Sequence, residues 1–256
     1  MDFSFKLGKF AAAAGIALAL VGGSVAANAV DATPTPTATS SPEPMATIFA
    51  EPISAPVVIA APPVKAGKVS PVIAVLNKLA VKGRAPKTGY DRDLFGDGWG
   101  NLGGCDLRNY VLKRDLTKIT WRAGENCIVA TGVLKDPYTA KTINFTRGVS
   151  TSLKVQIDHV VAVSDAWQKG AQQWSATKRV QFYNDPLNLL AVDGPTNSAK
   201  GDSDAASWLP PNKSYRCAYV ARQVAVKSKY GLWVTSAEKS AIAGILAACP
   251  TQQLPR

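Results

Sequence analysis

Eight prolines and not one lysine or arginine fall between residues 30 and 64, and they divide this chain into a part that can fold and a part that cannot. A stretch so rich in Pro, Ala, Thr and Ser favours extended, polyproline-like chain and has too little apolar surface for a core. Ahead of it, Lys6 and Lys9 give a positive start, Phe10 to Val21 is apolar, and Ala27-Asn28-Ala29 has the small-x-small form of a cleavage site. The apolar run is too short to span a bilayer comfortably. We read residues 1–29 as a secretory signal cut after Ala29, residues 30–67 as a linker, and residues 68–256 as the folded domain. The competing reading of residues 1–29 is an uncleaved anchor. With the signal removed, no stable membrane insertion is expected, and the protein is expected outside the cell or on its envelope.

The body beyond residue 64 holds 27 basic and 14 acidic residues, a net charge of +13. That field suits a polyanion, either nucleic acid or an anionic envelope polymer, and charge alone does not choose between them.

Four cysteines, Cys105, Cys127, Cys217 and Cys249, include no CxxC pair, which argues against a structural zinc site. In an exported chain an even count predicts two disulfides. Residues 215–229 have a helical period, and Thr235 with Glu238 has capping-box spacing at the head of a second helix reaching Ala248. Two antiparallel helices bring the start of the first beside the end of the second. That predicts Cys217–Cys249, and hence Cys105–Cys127.

Residues 153–163 are β-branched and alternating, which predicts a strand ending near Asp158-His159. Residues 187–192 predict a second short strand, Asp193-Gly194-Pro195 a turn, and Thr196 the cap of a short helix, Asn197 to Lys200, stopped by Gly201. Between the strands, Ser164 to Gly170 and Ser175 to Tyr183 read as helical. His159 is the only histidine in the chain. An imidazole near its usual pKa can take a proton from water at neutral pH. A carboxylate and an amide oxygen are hard ligands that suit Mg²⁺ or Mn²⁺. Asp158 and His159 are neighbours on a strand and should face opposite sides, so serving one site predicts a local twist or bulge.

The segments Ile157-Asp158-His159-Val160-Val161, Pro186-Leu187-Asn188-Leu189-Leu190 and Thr196-Asn197-Ser198-Ala199-Lys200-Gly201-Asp202 resemble HNH nucleases. They are most similar to exported actinobacterial HNH-family proteins related to the C-terminal domain of GmrSD-type restriction enzymes. The likeness extends over roughly residues 76–250 and takes in Gly104-Cys105-Asp106-Leu107-Arg108-Asn109 and Ala206-Ser207-Trp208-Leu209-Pro210-Pro211. It implies an α+β fold, a ββα-metal (HNH or His-Me finger) core embedded in additional helices. It also implies a metal-dependent endonuclease acting on nucleic acid, double-stranded DNA by preference and with low sequence specificity. The implied roles are His159 as general base, Asn188 as the residue that braces the loop and orients the base, Asp158 and Asn197 as ligands of Mg²⁺ or Mn²⁺, and Lys200 as the cation that neutralises phosphate. Lys82, Arg84, Lys87 and Arg92 are candidates for a phosphate groove. Asp106, Arg108, Arg114 and Arg122 could extend it or pair with one another. The rival reading is a non-catalytic basic protein that holds DNA or an anionic envelope polymer.

Overall fold

In the computed structural model the described residues are 70–255, so the signal segment of residues 1–29 and the linker of residues 30–67 lie outside them. The helices are α1 (Pro71–Lys78), α2 (Leu107–Asp115), α3 (Val163–Trp167), α4 (Ala176–Tyr183), α5 (Gly194–Lys200), α6 (Arg216–Tyr230) and α7 (Ser236–Ala247). The strands are β1 (Asn101–Leu102), β2 (Cys105–Asp106), β3 (Leu116–Trp121), β4 (Val129–Lys135), β5 (Thr142–Thr146), β6 (Val155–His159) and β7 (Leu189–Asp193). The chain is the expected α+β fold, in which β6, β7 and α5 form a ββα unit surrounded by further helices.

Strand β6 pairs antiparallel with β7, from Val155 opposite Asp193 to His159 opposite Leu189. The run Leu189-Leu190-Ala191-Val192 is buried throughout, because the pair is covered on both faces. On one side Leu189, Ala191, Val155 and Ile157 join Val111 and Leu112 of α2 and Phe145 of the three-stranded sheet β3-β4-β5. On the other, Leu190 and Val192 join Leu76 of α1, Val220 and Val224 of α6, and Ile242 of α7. The two helices between β6 and β7 build a third cluster, in which Phe95, Trp167, Phe182 and Tyr230 pack together. The insertion between β6 and β7, which holds α3 and α4, is therefore a packed part of the fold rather than a loop.

Helix α5 begins three residues earlier than its sequence suggests. Asp193, not Thr196, is the cap: its carboxylate accepts from the Thr196 amide at 2.9 Å and from the Thr196 hydroxyl at 2.6 Å. A carboxylate is the stronger acceptor at a helix N-terminus, and Pro195 tolerates the first turn because its missing N–H is unpaired there anyway. Gly194 is required by close approach, since a Cβ there would stand 2.0 Å from the Leu153 carbonyl oxygen. At the head of α7, Thr235 accepts from the Glu238 amide at 3.1 Å. The Glu238 carboxylate does not close the expected box. It turns inward to Lys169 at 2.7 Å and Lys227 at 2.9 Å.

That turn completes a buried charge cluster that the sequence did not announce. Lys169 lies 2.7 Å from each of Asp165, Asp204 and Glu238. Lys227 reaches Asp165 at 3.2 Å, and Arg84 reaches Asp165 at 3.2 Å and Asp204 at 2.8 Å. Three cations meet three carboxylates, so the cluster is balanced. It ties the insertion to α6, α7 and the chain just past α5. The disulfides are Cys105–Cys127 and Cys217–Cys249, with Cα separations of 5.3 and 6.3 Å, as the antiparallel helices required. Among the described residues no helix is long and apolar enough to cross a membrane.

Candidate active site

Asp158, His159 and Asn197 line one cavity of about 330 Å³, together with Lys87, Arg92 and Asp202. The expected bulge at Asp158-His159 is absent: the pairing with β7 is regular through both residues. The cavity sits at the end of β6, beside the start of α3 at Val163 and Ser164, and both Asp158 and His159 line it.

His159 Nε2 lies 2.8 Å from the Tyr183 carbonyl oxygen. A carbonyl can only accept, so Nε2 carries the proton and Nδ1 the lone pair. The indole of Trp99 stacks on the imidazole with centroids 5.9 Å apart and planes within 9°, and Tyr183 tilts against it at 4.5 Å. Burial, aided by the charges of Arg92 and Lys200, lowers the imidazole pKa to about 4, although the bond to the Tyr183 carbonyl and the Asp158 charge oppose the shift. The ring is therefore neutral, and a base, across the neutral range.

Because the chain has one histidine, its Cε1 proton gives a single resolved NMR signal. In metal-free protein that signal should titrate near pH 4; a midpoint near 6.5 would show that the ring is not buried as described. The same shift couples to stability. The unfolded chain takes up the proton near 6.5 and the folded one near 4. Stability should be complete above about pH 6.5 and fall by up to about 3 kcal/mol as pH drops to about 4.

Asn188 is fully buried. Its Oδ1 accepts from the Val161 amide at 2.8 Å, and its Nδ2 donates to the Val161 carbonyl at 3.2 Å. The Asn188 carbonyl accepts from the Val160 amide at 2.8 Å. The start of β7 is thereby tied to the segment just after His159.

Lys200 is not where a phosphate could meet it. It is 1% exposed, and its ammonium donates to Asp158 Oδ1 at 2.8 Å and to the His159 carbonyl at 2.9 Å. The helical rise from Asn197 to Lys200 turns it back under β6, where a buried ammonium needs partners. The Tyr138 hydroxyl donates to the other Asp158 oxygen at 2.5 Å. Asn197 donates from Nδ2 to Gln156 Oε1 at 2.8 Å, which leaves its Oδ1 without a protein partner among the described residues. Asp202 accepts from Ser164 at 2.9 Å and from Lys87 at 3.1 Å.

Among the described residues no three His, Cys, Asp or Glu side chains cluster as a metal cage. The oxygen donors at the cavity nevertheless fit a small hard cation that keeps most of its water. Asn197 Oδ1 is free, and each carboxylate oxygen of Asp158 has lone-pair capacity beyond the one hydrogen bond it accepts.

The expected phosphate groove divides. Arg84 is spent on Asp165 and Asp204, and Lys82 lies over the Trp233 ring. Lys87 and Arg92 do reach the cavity. Asp106 caps α2, Arg108 donates to the Val155 carbonyl, Arg114 pairs with Asp115 and Arg122 with Glu125, so those four form no shared cluster. Sequence reasoning missed Trp99, Tyr138, Gln156 and Tyr183. Trp99, Tyr138 and Tyr183 reach the site from distant stretches of chain and carry no local spacing signal, whereas Gln156 stands two residues before Asp158 on β6.

Residues 106–245 match the C-terminal domain of GmrSD restriction endonucleases, a span that includes Asp158, His159, Asn188, Asn197 and Lys200. A relative from Arthroderma benhamiae, named an uncharacterized secreted protein, is 40% identical over 178 residues, or 68% of this chain and 83% of that one. No solved structure matches the chain. With more than half of its length inside the family match, and its ββα unit at the centre of that match, the chain belongs to the GmrSD restriction endonuclease C-terminal domain family, whose fold is that of a nuclease-like HNH domain.

Proposed function

We propose that the protein is an exported endonuclease that hydrolyses phosphodiester bonds of DNA with the help of Mg²⁺ or Mn²⁺. The observation that carries this reading is the His159 imidazole: its Nε2 proton is fixed on a carbonyl, and it shares a cavity with Asp158 and Asn197. In this reading His159 Nδ1 takes a proton from the attacking water, a contribution of about 10²–10⁴ in rate for a positioned base. Trp99, Tyr183 and Asn188 hold the ring and its loop, so the base needs no reorientation in each turnover. Asp158 and Asn197 would hold the cation, which when bound stabilises charge on the phosphate and the leaving oxygen. Lys200 and Tyr138 fix the Asp158 carboxylate from behind. The role expected of Lys200 at the phosphate passes to Arg92, whose guanidinium lies over Tyr183 at the cavity wall. Export is supported by the signal-like residues 1–29, the linker of residues 30–67, the two disulfides and the secreted relative.

The test is plasmid cleavage. Supercoiled DNA should be nicked and linearised with Mg²⁺ or Mn²⁺, protected by EDTA, and cut again when the cation is restored in excess. Cutting that persists unchanged in EDTA would reject the metal, and no cutting with any divalent cation would reject the nuclease.

A further inference from the structure

The cavity at His159 has little to attract a polyanion. Its charged walls are Lys87 and Arg92 against Asp158 and Asp202, an even balance, although the folded part of the chain is strongly basic. Part of the excess charge lies elsewhere on the fold, along residues that do not line that cavity. Three concavities of about 730, 410 and 440 Å³ adjoin one another. They share walls at Leu102, at Tyr110 with Arg114, and at Asp185 with Lys229. Lys113, Arg114, Lys178, Arg222 and Lys229 line them against a single carboxylate, Asp185.

Not all five cations are free. Arg114 is held by Asp115 and two carbonyls, and Lys229 by Asp185 at 2.6 Å. Among the described residues the Lys113 and Lys178 ammonium groups make no hydrogen bond or ion pair and lie over the rings of Trp121 and Trp174, and Arg222 has one long bond of 3.4 Å to the Leu189 carbonyl. The groove also touches the catalytic region from behind. Gly100, on its wall, follows the Trp99 that stacks on His159. Asn184 and Asp185 follow the Tyr183 whose carbonyl holds His159 Nε2. The Gly100 amide donates to Asn184 Oδ1 at 2.7 Å, closing that wall.

We infer that this groove, with Lys113, Lys178 and Arg222 as its free cations, is a binding surface for the phosphate backbone of duplex DNA, separate from the cavity where the bond would be cut. The inference rests on the nuclease reading for its choice of polyanion. Duplex backbone carries about one charge per 1.7 Å of axis, and each phosphate neutralised adds about 0.9 to the slope of log affinity against log salt.

The experiment compares the wild-type protein with the triple variant Lys113→Glu, Lys178→Glu, Arg222→Glu, all three sites lying outside the cavity. Binding of a labelled duplex oligonucleotide is measured in EDTA over a range of salt, and hydrolysis of bis(p-nitrophenyl) phosphate with Mn²⁺. The variant should bind the duplex at least about tenfold more weakly, with a salt slope smaller by roughly 3, and hydrolyse the small diester as the wild type does. The triple Gln variant, which cannot add repulsion, should show the same flattened slope. Equal duplex affinity and slope in wild type and variants would overturn the groove. Wild-type protein that binds duplex through these residues but cuts neither substrate would leave the groove standing and remove the nuclease reading instead.

Discussion

His159→Ala should lower plasmid cleavage by at least about 10²-fold while the protein stays folded. No other imidazole exists in the chain to take over, and no other neutral base lines the cavity. Two controls separate loss of the base from loss of packing. The alanine leaves a hole between Trp99 and Tyr183, so added imidazole should enter it and restore part of the rate, whereas a collapsed site would not respond. His159→Asn keeps an amide donor for the Tyr183 carbonyl and should keep the melting temperature, yet remain as inactive as the alanine. Full activity in either variant would mean that the proton goes elsewhere, and the assignment of the base would fall with it.

Lys169→Met is expected to cost about 3–5 kcal/mol of stability, the usual result of removing one partner from a buried charge cluster. Three carboxylates, Asp165, Asp204 and Glu238, lose their common cation and keep only Lys227 and Arg84. For a domain of this size that should lower the melting temperature by roughly 10 °C. The pH dependence gives a second check. Burial raises the Asp204 pKa, but Lys169 and Arg84 more than offset it, so the carboxyl titrates below its ordinary value. In the wild type its contribution is therefore present above about pH 4 and lost as pH falls through the lowered value. In the variant the carboxyl should titrate higher, so the gap in stability between the two proteins should narrow on acidification. A gap that stays constant with pH would indicate lost packing rather than an uncompensated charge. Because Asp204 lies just past α5, and Ser164, next to Asp165, donates to Asp202, the variant should also loosen the Asp202 wall of the cavity.

The parts of this protein that could be read from its sequence are those governed by neighbours along the chain. The end of β6 at His159, a second strand (expected over 187–192, observed as Leu189–Asp193), the stop at Gly201 and the two antiparallel helices that pair Cys217 with Cys249 follow from period, caps and turn residues. Asn188 could be named only through the family resemblance; that it ties to the Val161 backbone is seen only in the structure. Even there the structure altered local details: Asp193 outcompetes Thr196 as the cap, and Glu238 abandons its box for a buried cluster.

What only the tertiary structure decided is where long side chains end. Lys200 is one helical turn from Asn197, and nothing in that spacing distinguishes an ammonium facing phosphate from one folded under the strand onto Asp158. Tyr138, Trp99 and Tyr183 arrive from three separate segments, so their convergence on Asp158 and His159 leaves no pattern in any window of sequence. The +13 charge of the body was visible as a sum, but its distribution was not. Packing spent Arg84, Lys169, Lys200 and Lys227 inside, left the cavity at His159 balanced, and placed Lys113, Lys178 and Arg222 along a groove behind it. A sequence fixes how many charges a chain carries and which way its helices run; the cost of leaving a charge unpaired away from water, settled only when distant segments pack, determines which charges remain for a ligand.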